Sequence, residues 1–377
     1  LSLLRIFSGK LPSNTSFYNV TKATKERIGQ IYILLGKEQR SLETAGCGDI
    51  VTLAKLKDTE AGNSIAEEKD PLEFPPLVFP EPSISFSVKP KSRQDEEKIS
   101  QSLAKLTAED HTFKTSRDPE TKEMIISGMG DLHLNVMVDR LKKRYNVNVE
   151  LGTPKVPYKE TITKTARVQG KFKRQSGGRG QYGDCWIEIE PLPKGSGDFE
   201  FVDKIFGGSI PRNYIPSVEK GVRQAMVEGA LAGYQLAGIK VSLVDGSFHA
   251  VDSSDMAFQI AGAMALRKAV LEAGPVLLEP IMDVEIVVSE EFMGQITGDL
   301  NSRRGRVMGM DTKGKSQVVK AQVPLAEMFT YASDLRSMTG GRGSHSMKFS
   351  RYDQVPSKIA TNIIAQYQAK KKEEQQE

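Results

Sequence analysis

Cysteine is nearly absent: Cys47 and Cys185 are the only two in 377 residues, far apart and without CxxC spacing. That excludes a disulfide framework and a zinc ribbon, and it fits a reducing compartment. The four histidines, His111, His133, His249 and His345, are equally scattered, and no metal site is expected of them. No apolar run approaches the ~20 residues that span a bilayer, and LSLLRIFSGKLP at the start lacks the hydrophobic core of a secretory signal. A soluble, cytoplasmic protein with no membrane partner is expected. The phosphate-cradling patterns GxxxxGKS and GxxxxGKT are missing too, so nucleotide chemistry is expected to lie outside this sequence. A formal net charge of only +4 leaves no global field, and any attraction to nucleic acid must come from local clusters.

With 38% hydrophobic residues, the chain is globular and long enough for roughly two to four domains, each with its own core. Residues 1–80 alternate short apolar stretches (LLRIF, SFYNV, IGQIYILL, DIVTLAKL) with turn signals, the pattern of a small β-barrel. The first residue is Leu and the first stretch already reads as strand, so the barrel is expected to be partial and cut from a larger protein. Prolines at 71, 75, 76, 80 and 82 mark an ordered linker.

From 81 to 156 the order strand (ISFSVKP), helix, hairpin, helix, strand (NVNVEL) gives β-α-β-β-α-β, the ferredoxin-like arrangement. Ile99, Leu103 and Leu106 share one helical face, as do Leu134, Val138 and Leu141. The same order recurs over 281–355, the one internal repeat visible. Between them, 157–280 reads as a mixed α/β domain. It has a helix over 216–234 beginning at Pro216, and another after Ser253 or Ser254 as N-cap, ending at Gly274. Residues 356–377 read as a terminal helix running into a charged, disordered tail.

Two loops of the α/β domain stand out, RQSGGRGQYG (174–183) and DGSFHAVDSSDM (245–256). From Thr161 to Gly183 the chain holds Lys164, Arg167, Lys171, Lys173, Arg174 and Arg179 with no acidic residue, and Phe172 and Tyr182 are interleaved. Cations release counterions from phosphate while aromatic and guanidinium planes stack on unpaired bases, so the composition suits RNA. It equally suits a flexible hairpin tip that is basic without function. His249 is either a turn histidine or a hydrogen-bond donor to RNA. Asp245, Asp252 and Asp255 read as turn and cap residues rather than catalytic acids. Arg303, Arg304 and Arg306 are either helix C-terminal charge or a second RNA or protein contact.

KFKRQSGGRGQYG, GGSIPRNYIPSVEKGV, DGSFHAVDSSDMAFQIAGAMALRKA, EPIMDVEIVVSEEFMGQITGDLNSRRGRVMGM, PLAEMFTYASDLRSMTGGRGS and IISGMGDLHLNVMVDRLKKRYNV together resemble bacterial elongation factor G. The resemblance covers nearly the whole chain and implies most of domain II followed by domains III, IV and V, without the N-terminal GTPase domain. Domain IV would be of ribosomal-protein-S5-like type. GTP and Mg would belong to the missing domain, and this chain would have no cofactor and no catalytic residue. The resemblance makes Arg174, Gln175, Ser176, Gly177, Gly178, Arg179, Gly180, Gln181 and Tyr182 one half of an RNA-contacting tip. Asp245, Gly246, Ser247, Phe248, His249, Asp252 and Ser253 make the other. That tip would enter the decoding region beside tRNA and mRNA. In domain V, Arg336, Gly340, Gly341, Arg342, Gly343 and Ser344 would face the large subunit. The partners implied are the rRNA of both ribosomal subunits and the tRNA-mRNA pair, met by a monomer. ILLGKEQRSL and TGGRGS resemble a second, paralogous branch of the family more than the main one.

A translocation role is therefore expected, with ribosome recycling or ribosomal protection as the alternative in the same superfamily. A stand-alone RNA-binding protein is a third reading. An enzyme on small molecules is a fourth, whose sign would be a deep polar pocket away from both loops.

Overall fold

Short strands separated by turns dominate the N-terminal part of the computed structural model, in which residues 1–175, 180–193 and 195–374 are described. They are β1 (Ser2–Arg5), β2 (Lys10–Pro12), β3 (Ser16–Asn19), β4 (Thr24–Arg27), β5 (Ile31–Leu35), β6 (Glu38–Leu42), β7 (Thr44–Gly46), β8 (Ile50–Leu53) and β9 (Ile65–Ala66). These pair as three separate sheets, β1-β8-β5-β6, β2-β7 and β4-β3-β9, and no closed barrel exists among the described residues. Strands of two to five residues hold too few ladder bonds to carry one register around a circle. Phe17, Ile28, Ile31 and Val51 still share a buried core. The buried Glu26 carboxylate accepts the amides of Lys57, Asp58 and Thr59 and so fastens that loop. Burial opposes its charge, but these bonds and one from the Thr59 hydroxyl outweigh it and hold the carboxyl below its usual range.

By contact density the chain divides into two compact units. One comprises Leu1–Pro82, Pro90–Thr115 and Ile126–Glu150, and the other Ser83–Lys89, Ser116–Ile125 and Leu151–Glu377. The elements that follow β9 are β10 (Ile84–Pro90), α1 (Arg93–Glu109), β11 (Lys114–Arg117), β12 (Met124–Gly128), α2 (Asp131–Tyr145) and β13 (Val149–Gly152). Ser92 caps α1 by accepting the Asp95 amide, and the Asp95 carboxylate accepts the Ser92 hydroxyl in return. Ile99, Leu103 and Leu106 of α1 and Leu134, Met137 and Leu141 of α2 are buried, as the helical period requires.

Next come β14 (Lys159–Ile162), β15 (Ala166–Arg174), β16 (Gln181–Pro191), β17 (Phe199–Asp203), α3 (Ile215–Glu228), β18 (Ile239–Ser247) and α4 (Asp255–Glu272). The sheet order is β15-β16-β18-β17, with β17 parallel to β18. Helix α4 lies so close to the sheet that a Cβ on Gly170 would come within 2.1 Å of the Ala261 carbonyl oxygen. Only a residue without a side chain fits there. Helix α3 stops at Glu228, short of the expected end at 234. Gly229 turns the chain at φ +66, and the Glu160 carboxylate takes the amides of Ala230, Leu231, Ala232 and Tyr234 that a longer helix would have used internally.

The last part consists of β19 (Pro275–Ser289), α5 (Met293–Ser302), β20 (Arg306–Lys313), β21 (Ser316–Pro324), α6 (Tyr331–Thr339), β22 (Ser344–Gln354) and α7 (Ser357–Glu374). Strand β19 runs without a break through position 280. It carries β22 on one edge and β14 followed by β21 along the other, with β20 beyond β21. Ile296, Leu300, Tyr331 and Leu335 of the helices close over Val284, Ile286, Val319 and Val323. Helix α7 sets Ile359, Ile363 and Tyr367 against Ala232 and Leu277. No helix of the described residues is long and apolar enough to cross a membrane.

Candidate nucleic-acid interface

The distal end of the β15-β16-β18-β17 sheet is assembled by hydrogen bonds between the two stretches that composition singled out. The Gly180 amide donates to the Asp252 carboxylate at 3.0 Å, and the Tyr182 amide to the Asp252 carbonyl at 2.8 Å. The second loop closes on itself: the His249 amide donates to the Ser253 hydroxyl at 2.9 Å, and the Ser253 amide to the His249 carbonyl at 3.0 Å. Nδ1 of His249 lies 3.3 Å from the Asp252 carboxylate and 3.3 Å from its amide. Ser253 is buried, while the His249 side chain is 58% exposed and Phe248 and Val251 stand in solvent beside it. Ser254 is the N-cap of α4, accepting from the Ala257 amide, and Asp255 in the first turn accepts the Ser217 hydroxyl of α3 at 2.6 Å. The end therefore rests directly on both helices.

The regular structure reaches further into this end than expected. Arg174 and Gln181 form the last rung of the β15/β16 ladder, and Tyr182 continues it opposite Lys173. Asp245, Gly246 and Ser247 belong to strand β18, opposite Trp186, Cys185 and Asp184. That corrects their assignment to the loop, which begins at Phe248. The reason is a polar knot on the strands: the Ser247 hydroxyl donates to Asp184 at 2.6 Å and lies 2.7 Å from the Tyr182 hydroxyl. Arg174 and Gln175 are exposed, and Ser176, Gly177, Gly178 and Arg179 lie outside the described residues. Cys185 sits in the core beneath, where burial pushes its thiol up to about 12, so it is a packing residue and not a nucleophile.

In the last sheet the expected loop also exists, at the end of α6. Gly340 and Gly341 take left-handed conformations, with φ +57 and +81, and the Gly341 amide donates to the Arg336 carbonyl. Gly343 donates to the Thr339 hydroxyl, Arg342 pairs with Glu291 at 3.0 Å over the Phe292 ring, and Ser344 opens β22. The two readings left open for Arg303 and Arg304 resolve inward. Arg303 binds Asp299 and Asp334, both at 2.8 Å, and Arg304 forks onto the buried Glu279 at 2.6 and 3.0 Å with Glu327 beside it. They hold the sheet to its helices. Sequence reasoning overlooked Glu160, Asp184 and Glu279, because an acid in a strand pattern carries no sign of what its carboxylate will face.

A depression of about 520 Å³ lies away from both loops, lined by Glu228, Gly229, Ala230, Arg267, Leu271 and Tyr367. Its two charges pair with each other, and among the described residues no cluster of His, Cys, Asp and Glu could hold a metal.

The distal end thus presents exposed cations, an aromatic and an imidazole on a hydrogen-bonded α/β support. Family models cover the chain in order: elongation factor G domain 2 at residues 1–68, domain III at 79–153, domain IV at 154–288 and the elongation factor G C-terminus at 276–363. Elongation factor G of Aquifex pyrophilus is 50% identical over 372 residues, 98% of this chain and 53% of that protein. A protein of Thermus thermophilus of known crystal structure is 39% identical, with a TM-score of 0.84 over 97% of this chain and 55% of its own. The chain belongs to the bacterial elongation factor G family and corresponds to the C-terminal portion of it. It spans about half the length of the relatives it matches.

Proposed function

We propose that this chain is the lever and tip of a ribosomal translocation factor, working in the cytoplasm with a GTPase domain on the same polypeptide that binds GTP and Mg. The distal end of the α/β domain enters the decoding region and occupies the space of the tRNA-mRNA pair, so that neither slips back. The observation that carries this reading is the hydrogen-bonded union of the 180–182 and 249–253 segments, which presents His249 and Phe248 on one support. Arg174, Arg179 and Gly178 belong to the same contact. The loop Gly340–Ser344, with Arg336, faces the large subunit. The two β-α-β-β-α-β parts are ferredoxin-like domains III and V, and the part between them is of ribosomal-protein-S5-like type. The element order supports the first assignment, and the β22-β19-β21-β20 order supports it for domain V. The chain alone neither binds nor hydrolyses GTP.

The test replaces Gly178, Arg179 and His249 in the full-length factor and measures single-round translocation on ribosomes. Slowed translocation with retained ribosome binding supports the assignment. Unchanged translocation removes the role given to the tip, and a defect confined to subunit splitting would reassign the protein to recycling.

A further inference from the structure

The face of the β15-β16 ladder opposite α4 is a second candidate surface, which borders the distal end at Tyr182 and runs from there along the strands. Gly170 and Gly183 lie under α4, so their alternating neighbours point the other way: Arg167, Gln169, Lys171 and Lys173 on β15, and Tyr182, Asp184 and Trp186 on β16. The Arg167 guanidinium stands over the Trp186 ring, 5.8 Å from its centroid, and the Lys171 ammonium stands 5.8 Å over Tyr182. Arg167, Lys171 and Lys173 are exposed, and none forms an ion pair among the described residues. The acid between the rings, Asp184, is 5% exposed and accepts from Gln169, Ser247 and Tyr182, so its charge is spent within the sheet. Glu188, directly across the ladder from Arg167, and Asp245, across from Trp186, bound the surface on its other sides.

We infer that this face binds a single-stranded RNA segment, whose bases stack on Trp186 and Tyr182 while its phosphates follow Arg167, Lys171 and Lys173. Unpaired cations answer phosphate, flat rings answer any base, and a strand supplies both at a fixed spacing. A duplex hides its base faces and cannot use the rings. An acidic peptide would satisfy the cations but leave the rings without a partner. The inference goes beyond the proposed tip contact, because it concerns another face and needs no ribosome.

Trp186 is the only tryptophan in the chain, so its emission reports on this surface alone. The chain is titrated with a labelled short oligouridylate while RNA anisotropy and tryptophan emission are read together. Quenching that tracks the anisotropy is expected. Trp186→Ala should weaken binding by about tenfold, with Trp186→Phe retaining most of it. The double variant Arg167→Gln with Lys171→Gln, altered only at exposed positions, should weaken binding and flatten its salt dependence. Binding without quenching and with full affinity in Trp186→Ala would overturn the inference. So would equal quenching by a duplex of the same length, quenching by poly-glutamate in place of RNA, or no binding of oligouridylate. Each of these results leaves the tip assignment standing, since that is read on ribosomes.

Discussion

The α/β domain carries a polar cluster at each end, and the two are built on opposite terms. At the proximal end, Glu160 is fully buried and its carboxylate takes four backbone amides, and Glu279 is 3% exposed at its side chain and filled by the Arg304 fork. Both oxygens of each acid are engaged by groups of this chain. At the distal end, Asp252 holds the Gly180 amide, yet the His249 ring it orients remains more than half exposed. The proximal cluster spends its charge on fixing the loop at 230–234 and the strand β19, whereas the distal one fixes a backbone so that side chains face outward. Burial with complete satisfaction marks a structural group, and a rigid backbone with unspent side chains marks a contact.

Breaking the proximal end should do the most damage to stability. Glu160→Ala leaves four amides without an acceptor, and an expected loss of about 4 kcal/mol should appear as a large drop in the thermal midpoint. Arg304→Met strands the Glu279 carboxylate and should cost about 3 kcal/mol by urea titration, while the same change at the exposed Arg306 should leave the midpoint where it was. Equal effects at 304 and 306 would erase the distinction between spent and unspent arginines. At the distal end, Asp252→Ala should cost only about 1 kcal/mol. Hydrogen exchange at the Gly180 and Tyr182 amides should nevertheless accelerate, because the segment they tie down is released.

The smallest expected effect is a pH dependence in the last sheet. Burial, and then the nearby Arg336 charge, hold the His345 imidazole below its ordinary value of 6.5. The unfolded chain therefore binds the proton more readily than the folded one. Stability is complete above about pH 6.5 and is lost as pH falls from there through the lower folded value. His345→Gln should flatten the slope of stability against pH in that window, as followed by thermal melts in matched buffers. It also removes the ring set edge-on against Tyr331.

Much of this was legible in the residues. The periods of Ile99, Leu103 and Leu106, and of the repeated β-α-β-β-α-β order, came through because helical and strand faces are written locally in the chain. Which of the short N-terminal strands would pair into the three sheets was not readable, because register between distant segments is not encoded in short apolar runs. The end of α3 was overestimated for a related reason: Glu160, some seventy positions away, offers the amides of 230–234 a better partner than another helical turn. At the candidate site the residue types were readable from Gly, Arg, Tyr and His. That Asp252 would tie one segment to the other was not readable: its residue type marks it as a turn or cap residue and the resemblance as part of the tip, and neither names its partner.

The central claim is that the distal end acts and the proximal end merely holds. It is tested most directly by single-round translocation with a full-length factor carrying His249→Ala, compared with one carrying Arg306→Met. The account predicts that the His249 variant binds ribosomes and folds as before but translocates slowly, while the Arg306 variant matches the unaltered factor. Translocation at the unaltered rate with His249→Ala would contradict it.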